Sequence, residues 1–198
     1  MDTADSDERV MQRLARGDDD ALAELVGRWQ GPLWCFIDRM CRRVDVSDDV
    51  YQEVWTRVFL YRKRYDPARP FRAYLFAIAV NCCRRVLKRR RWRDEIFGRL
   101  DDAPPPVAAD PSPAERMAAG ERHRMLHRAI SRLPEMQRAV VLLYLLGGGD
   151  YGGVAEALGK RPATVRSHMH HALTALRRTL TTISIAAEGK VDHERQVH

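Results

Sequence analysis

Basic residues surround an aromatic ring in the segment RKRYDPAR, which runs from Arg62 to Arg69. Arginine and lysine side chains follow phosphates while an aromatic face stacks on an unpaired base, so this combination is typical of single-stranded nucleic-acid binding. Prolines at 67 and 70 predict a loop there. Tyr65 and Arg69 are therefore candidate contacts to an unpaired strand.

The helix expected to begin near Phe71 carries a second set of candidate residues. Apolar side chains recur three and four positions apart and predict a core stripe: Phe71, Leu75, Ile78, Ala79, Cys82 and Val86. The opposite face carries Asn81, Arg84, Lys88 and Arg91, and the helix ends in KRRRWR. An amide among cations suits contact with a base edge and a phosphate backbone. A basic run alone more often marks a solvated face, but the shared face and the neighbouring aromatic loop favour binding.

A helix-turn-helix pattern occupies the second half of the chain. Tyr151 to Leu158 fits a short helix, Gly159 ends it, and Pro162 stands where the next helix would begin. Short helix, tight turn and longer helix is the layout of a DNA-binding helix-turn-helix.

The second helix of this pattern has two distinct faces. Its apolar stripe is Val165, Met169, Ala172, Leu173, Leu176 and Leu180. The opposite face holds Arg166, Ser167, His170, His171 and Thr174, and Lys160, Arg161 and Thr164 lie at the turn and just after it. Such a face can enter the major groove and donate to phosphates and base edges.

The elements that position these residues are all predicted to be helices. GDDDALAELVGRWQGPLWCFIDRMC predicts two helices split near Gly31 and Pro32, and a third is expected after a cap formed by Ser47, Asp48 and Asp49. Further helices are expected at about 114–131 and from Leu133 onward. Five prolines within 104–113 predict an extended linker. The sequence thus predicts an all-α chain with a first domain at 1–98, a flexible linker at 99–113, a second domain at 114–184 and a mobile tail at 185–198.

Composition narrows the function classes. The net charge of +7 favours a polyanionic partner. No apolar run reaches the roughly 20 residues of a membrane helix, and the first residues are acidic. We therefore expect a cytoplasmic protein without membrane insertion. The four cysteines lack paired spacing and indicate reduced thiols rather than a zinc site. GGGDYGG fits a turn better than a phosphate loop, and His123 and His127 fit surface histidines better than metal ligands. We expect no enzyme activity, no metal and no cofactor.

Taken in order, these segments resemble the extracytoplasmic-function group of the sigma-70 family. The resemblance extends from about residue 8 to about residue 182. It depends on GDDDALAELVGRWQ, SDDVYQEVWTRVF and YDPARPFRAYLFAIAVN in the first half and on LPEMQRAVVLLYLL and VAEALGKRPATVRSHMHHALTALR in the second. It implies a four-helix region 2 domain and a helix-turn-helix region 4 domain, and a sigma factor that binds core RNA polymerase and directs promoter recognition and opening.

The resemblance also implies roles for individual residues. Tyr65 and its neighbours match the loop that captures a flipped base of the minus-10 element, with Arg69, Asn81, Arg84 and Lys88 on the same strand-holding surface. The minus-35 element would be read by Lys160, Arg161, Thr164, Arg166, Ser167, His170 and His171. The polymerase-binding surface would contain Asp48, Asp49, Gln52, Glu53 and Trp55. Promoter DNA, core RNA polymerase and an anti-sigma factor are the implied partners.

Some positions depart from the family pattern, and one rival class remains open. Gly152 and Gly153 stand where acidic residues are common, His168 and His171 where arginine is common, and Ala77 where a basic residue is common. Relatives therefore do not define this chain's promoter sequence. The rival is a helix-turn-helix repressor or activator that binds duplex DNA by itself; it explains the second half equally well but not the basic helix and aromatic loop of the first.

Overall fold

The computed structural model describes residues 5–42, 44–97, 118–146 and 148–195. Within these ranges the regular elements are helices, and no strand is present. They are α1 (Asp7–Ala15), α2 (Asp20–Cys41), α3 (Val44–Leu60), a short 3-10 helix (Arg62–Arg64), α4 (Phe71–Phe97), α5 (Ala118–Arg132), α6 (Glu135–Leu146), α7 (Tyr151–Leu158) and α8 (Pro162–Arg195). The all-α class is confirmed. None of these helices is both long and apolar enough to cross a bilayer.

Helix α1 was not predicted, although the sequence contains its signals. The Ser6 hydroxyl accepts a hydrogen bond from the Arg9 amide at 3.4 Å and caps the first turn. Val10, Met11 and Leu14 recur at helical spacing and are fully buried. A serine cap followed by two acidic residues and this stripe would have been enough to identify the helix.

Helix α2 is continuous, so the predicted split near Gly31 and Pro32 is wrong. Proline inside a helix costs about 3 kcal/mol because it removes a hydrogen bond and crowds the preceding turn. The buried stripe of α2 continues past that point through Leu33, Phe36 and Ile37. Burial of each such side chain contributes about 1.5–3 kcal/mol, so the three together outweigh the cost of the proline.

Helix α3 begins earlier than the predicted cap. Arg42 ends α2 in the left-handed conformation, with φ of 64°, and its amide donates to the Asp38 carbonyl at 2.8 Å. This sharp reversal lets α3 start at Val44. Ser47 therefore lies inside the helix, fully buried, instead of capping it.

The second half contains the predicted helix-turn-helix, formed by α7 and α8. Gly159 ends α7 with φ of 59°, and α8 begins at Pro162. Helix α8 continues to Arg195, so helical backbone occupies 185–195, where a mobile tail was predicted. The predicted linker at 99–113 lies outside the described residues.

Helices of the first half contact helices of the second half. Helix α4 packs against α7, and α2 packs against α6. One continuous hydrophobic cluster contains buried residues of both halves, including Phe76 of α4 and Val154 of α7. Apolar side chains on α4 and α7 are therefore buried against each other, while the domain bounds at 1–98 and 114–184 stay a prediction.

Candidate nucleic-acid interface

The loop between α3 and α4 holds Tyr65 in the protein interior. Tyr65 is 9% exposed, and its ring packs against those of Phe71 and Tyr74, with centroids 6.2 and 5.1 Å away. Its hydroxyl donates to the Arg69 carbonyl at 2.6 Å, and burial raises its pKa above the ordinary tyrosine value. An outward-facing Tyr65 was expected, and that expectation is wrong. The ring supports the loop from inside, because packing against two aromatic rings is more favourable for it than exposure to water.

Helix α4 presents the predicted cationic face. Asn81, Arg84, Lys88 and Arg91 are all exposed, whereas Phe71, Leu75, Ala79 and Cys82 on the other side are buried. A rigid helix thus carries three cations and an amide outward on one strip. This surface can follow a phosphate backbone and donate to a base edge.

The start of α4 is fixed by a side chain from α1. Glu8 accepts a hydrogen bond from the Phe71 amide at 3.0 Å, which satisfies a donor that the first turn of a helix leaves free. Within the loop, Asp66 accepts from the Ala68 amide at 3.0 Å. These two hydrogen bonds fix the path of the backbone from the loop into α4.

Acidic residues of the second half contact this cationic surface, a feature that sequence reasoning missed. The Arg69 Nε atom lies 2.5 Å from the Glu156 Oε1 atom. Glu135 lies at 3.3 Å from Arg84 and at 2.5 Å from Arg91. No spacing or motif in the sequence indicates ion pairs between residues so far apart along the chain.

Arg72, which was not among the predicted residues, reaches the glycine-rich turn before α7. A Cβ atom on Gly148 would lie 2.6 Å from the Arg72 Nη1 atom, closer than side chains allow, and Gly148 has φ of +81°. Arg72 also helps to lower the pKa of Asp150, although the main cause there is the hydrogen bond from the Gly153 amide. Pro70, Arg72, Phe76, Asp150 and Glu156 line one cleft between α4 and α7.

Asp150 organises the start of the helix-turn-helix. Its two carboxylate oxygens accept from the Gly152 and Gly153 amides at 2.9 and 2.6 Å. Gly152 and Gly153, which depart from the family pattern, therefore let the backbone come close to the Asp150 carboxylate. After α7, the Lys160 amide donates to the Ala155 carbonyl at 2.9 Å and closes the turn.

Helix α8 presents the predicted recognition face. Lys160, Arg161, Arg166, Ser167, His170 and His171 are exposed, and Thr164 is half-buried. Val165, Met169, Ala172 and Leu176 are buried as predicted, whereas Leu173 is exposed. The arrangement leaves a polar, cationic helix face open to solvent next to the turn, as major-groove binding requires.

The predicted polymerase-binding residues of α3 divide into two groups. Asp48, Asp49 and Gln52 are exposed. Glu53 accepts from Arg57 at 3.1 Å and from Arg85 at 2.7 Å, so it also ties α3 to α4. Trp55 is 7% exposed and lies in the core, so it supports this surface from beneath and does not form part of it.

Metal-ligand geometry is not found among the side chains that the structure describes. The four cysteines are free thiols as predicted, and Cys41, Cys82 and Cys83 are buried. Of the two histidines considered as ligands, His127 lies 2.9 Å from the Arg39 Nη2 atom, and the side chain of His123 lies outside the described residues.

A helix-turn-helix with an open recognition face, and a second helix with an outward strip of cations, define a DNA-binding protein built from two helical units. Residues 25–93 match the sigma-70 region 2 family, and residues 123–176 match the sigma-70 region 4 family. The chain is 30% identical to the ECF RNA polymerase sigma factor SigL of Mycobacterium tuberculosis, over 77% of this chain and 85% of that protein. It is 29% identical to the RNA polymerase sigma factor CarQ of Myxococcus xanthus, over 88% of this chain and 98% of that protein.

The chain therefore belongs to the extracytoplasmic-function group of the sigma-70 family. It is a sigma factor, the component that directs RNA polymerase to promoters, and the rival class of independent repressor or activator is not favoured.

Solved structures share the fold. CnrH in complex with the cytosolic domain of CnrY superposes with a TM-score of 0.68 at 23% identity, covering 90% of this chain and 99% of that one. The sigma factor RpoE in complex with the anti-sigma factor NepR from Bartonella quintana also gives 0.68, at 19% identity over 80% of this chain and 96% of that one.

Proposed function

We propose that the two exposed faces bind the two promoter elements: the strip on α4 with the 61–70 loop holds the minus-10 strand, and α8 reads the minus-35 element. The observation that carries this proposal is that Asn81, Arg84, Lys88 and Arg91 are all exposed on one side of α4 while its other side is core. Cations on an exposed helix face can neutralise the phosphates of a DNA strand.

Opening the promoter DNA costs free energy, which contacts to the duplex do not supply. Unstacking a base costs a few kcal/mol, and contacts available only to the separated strand offset that cost. Arg69, Asn81, Arg84 and Lys88 provide phosphate and base-edge contacts on a helix whose position is fixed by Glu8. Tyr65 shapes the loop from inside, so we assign it a positioning role.

Recognition of the minus-35 element falls to the exposed face of α8. Arg166, Ser167, His170 and His171 occupy its first three turns, and Lys160 and Arg161 lie beside the helix N-terminus, where phosphates are favoured. Asp48, Asp49 and Gln52 on α3 form the surface that docks on the polymerase clamp. The protein supplies binding while the polymerase supplies the chemistry, and it acts in the cytoplasm with no catalytic group of its own.

An anti-sigma factor is the expected regulator. Two solved structures of similar fold are sigma factors in complexes, one with the cytosolic domain of CnrY and one with the anti-sigma factor NepR. A protein that covers the α3 surface or the α4 strip would prevent polymerase or DNA binding by this chain.

Reconstitution with core RNA polymerase tests the α4 assignment. Arg84→Ala with Lys88→Ala should lower open-complex formation at least about tenfold, since each removes a charge-assisted contact of about 1.5–3 kcal/mol. The matched control is Arg16→Ala with Arg128→Ala, two exposed cations outside both faces. Permanganate footprinting of the opened strand measures the effect. Equal opening by both double variants would refute the assignment.

A further inference from the structure

We propose that minus-35 binding by α8 is coupled to proton uptake, with His170 and His171 contacting DNA phosphates in their protonated form. The coupling rests on the proposed role of α8 in reading the minus-35 element, and it adds a regulation of that site. The same promoter should be bound more tightly in mild acid than at alkaline pH.

The two histidines lie on the flanks of the recognition face. At about 100° per residue, His170 and His171 stand on either side of the strip formed by Ser167 and Thr174. Both histidine side chains are exposed, and their ring centroids lie 5.9 Å apart. A helix in the major groove points its central strip at base edges and its flanks toward the walls of the groove. The flanking position therefore favours contact with phosphates.

An imidazole ring binds phosphate differently in its two protonation states. It is the side chain whose ordinary charge change falls between about pH 5 and pH 8. A neutral ring has one N–H donor and one bare nitrogen, whereas a protonated ring has two donors and a positive charge. A charge-assisted hydrogen bond to phosphate is roughly twice as strong as a neutral one. Phosphate therefore selects the protonated ring, and DNA binding and proton uptake favour each other.

The closeness of the two rings strengthens this coupling. Two positively charged rings with centroids 5.9 Å apart repel each other, and a phosphate that contacts both rings offsets the repulsion. Part of the proton uptake is therefore expected only when DNA is bound.

The charged groups around the pair leave phosphate as the available anion. Arg166 lies one turn before the pair, and α8 has no acidic residue from 162 to 180. Helices α5, α6 and α7 pack against α8, and their described carboxylates, Glu135 and Glu156, contact arginines of the first half. The other charged or titratable groups described on those three helices are His127, Arg128, Arg132, Arg138, Tyr144 and Tyr151.

The sign of the pH dependence follows from these charges. Arginine and lysine side chains ordinarily keep their charge across this pH range, so the cations at the start of α8 should support binding throughout. The contribution of the two histidines is fully present in acid and is lost as pH rises through the imidazole range.

The test measures promoter affinity of reconstituted holoenzyme from about pH 5.5 to about pH 8, using the fluorescence anisotropy of a labelled duplex from a promoter that the holoenzyme opens. His170→Gln with His171→Gln keeps polar side chains without charge, and His170→Arg with His171→Arg fixes the charge. Wild type should match the glutamine pair at the alkaline end. At the acid end it should bind roughly threefold to tenfold more tightly than that pair and approach the arginine pair.

Salt dependence gives a second readout. Each neutralised phosphate adds about 0.9 to the slope of log affinity against log salt, so wild type should exceed the glutamine pair by up to about 1.8 in acid and match it in alkali. All variants are assembled with the same core enzyme, and only the ratios between them are compared, which cancels titration of the polymerase itself.

His168→Gln is the matched control, because this half-buried histidine lies on the same helix beside the apolar stripe. It should retain the wild-type pH dependence, and its loss there would overturn the assignment to His170 and His171. An affinity ratio between wild type and the glutamine pair that stays constant across pH would also overturn it. If the glutamine pair loses its helical circular dichroism, the ratio of wild type to the arginine pair provides the same test.

Arg161→Ala with Arg166→Ala separates this coupling from the proposed function. Weaker promoter binding by that double variant, with no pH-dependent difference among the histidine variants, overturns the proton coupling alone. If the alanine pair and both histidine pairs bind like wild type at every pH, the assignment of minus-35 recognition to α8 is itself wrong.

Discussion

At the scale of single residues, the Tyr65 hydroxyl links the loop to its own backbone. It donates to the Arg69 carbonyl at 2.6 Å while its ring contacts Phe71 and Tyr74. Burial is also the main reason that the pKa of Tyr65 is raised, so the hydroxyl stays protonated and remains a donor across the physiological range. The bond therefore positions Arg69 without depending on pH near neutrality.

Tyr65→Phe keeps the ring and removes this donor. We expect the free energy of unfolding to fall by about 1 kcal/mol, since the Arg69 carbonyl loses its partner. Oligonucleotide binding should change by less, because the substitution acts on it only through the loop. Urea denaturation followed by circular dichroism measures the change. Tyr61→Phe is the control, because Tyr61 is 42% exposed. The same stability for both variants would show that the hydroxyl has no structural role.

At the scale of elements, the short helix α7 depends on its cap. It contains two glycines, each of which costs about 1 kcal/mol relative to alanine in a helix. Asp150 compensates at the N-terminus by accepting from both glycine amides. These bonds lower the pKa of Asp150, mainly through Gly153, so the ionised carboxylate is the form that stabilises the folded helix.

Asp150→Ala should lower the melting temperature and weaken binding to a minus-35 duplex, because α7 positions α8. The sign of the pH dependence follows from the lowered pKa: the contribution of Asp150 is fully present above the ordinary aspartate value of about 3.9 and is lost as pH falls through the lower folded value. The stability difference from wild type should therefore be constant near neutral pH and shrink in acid. Thermal denaturation across pH measures it, and a difference that grows in acid would contradict the capping role.

Local signals in the sequence predicted some elements well. The end of α7 and the start of α8 followed from Gly159 and Pro162, whose backbone preferences act within a few residues. The faces of α4 and α8 followed from helical spacing, with Leu173 as the exception. Pro32 was misleading because its local cost is outweighed by burial of residues that follow it.

The rest required contacts that helical spacing does not encode. Tyr65 lies in a loop with basic neighbours, and its burial depends on Phe71 and Tyr74 folding back over it. The pairing of Glu135 with Arg84 depends on how the two halves meet, which has no period or motif in the sequence. Helical spacing identified residues that are chemically able to bind DNA. It did not show which of them are in contact with other parts of the chain.

At the scale of the whole molecule, the continuous core predicts how the chain unfolds. Two units held apart by a tether would melt independently, whereas a shared hydrophobic cluster couples them. Buried residues on α4 and α7 belong to one cluster, and α2 packs against α6 as well. Wild-type protein should therefore show one calorimetric transition with equal calorimetric and van't Hoff enthalpies.

Ala157→Glu should uncouple the halves. Ala157 is 7% exposed and lines the cleft between α7 and α4, and leaving an unpaired carboxylate there costs several kcal/mol, so the contact opens instead. Calorimetry should then resolve two transitions, while Ala163→Glu, at an exposed position in the first turn of α8, should retain one. If the wild-type protein already melts in two steps, the halves are independent in solution, and the shared cluster does not couple their unfolding.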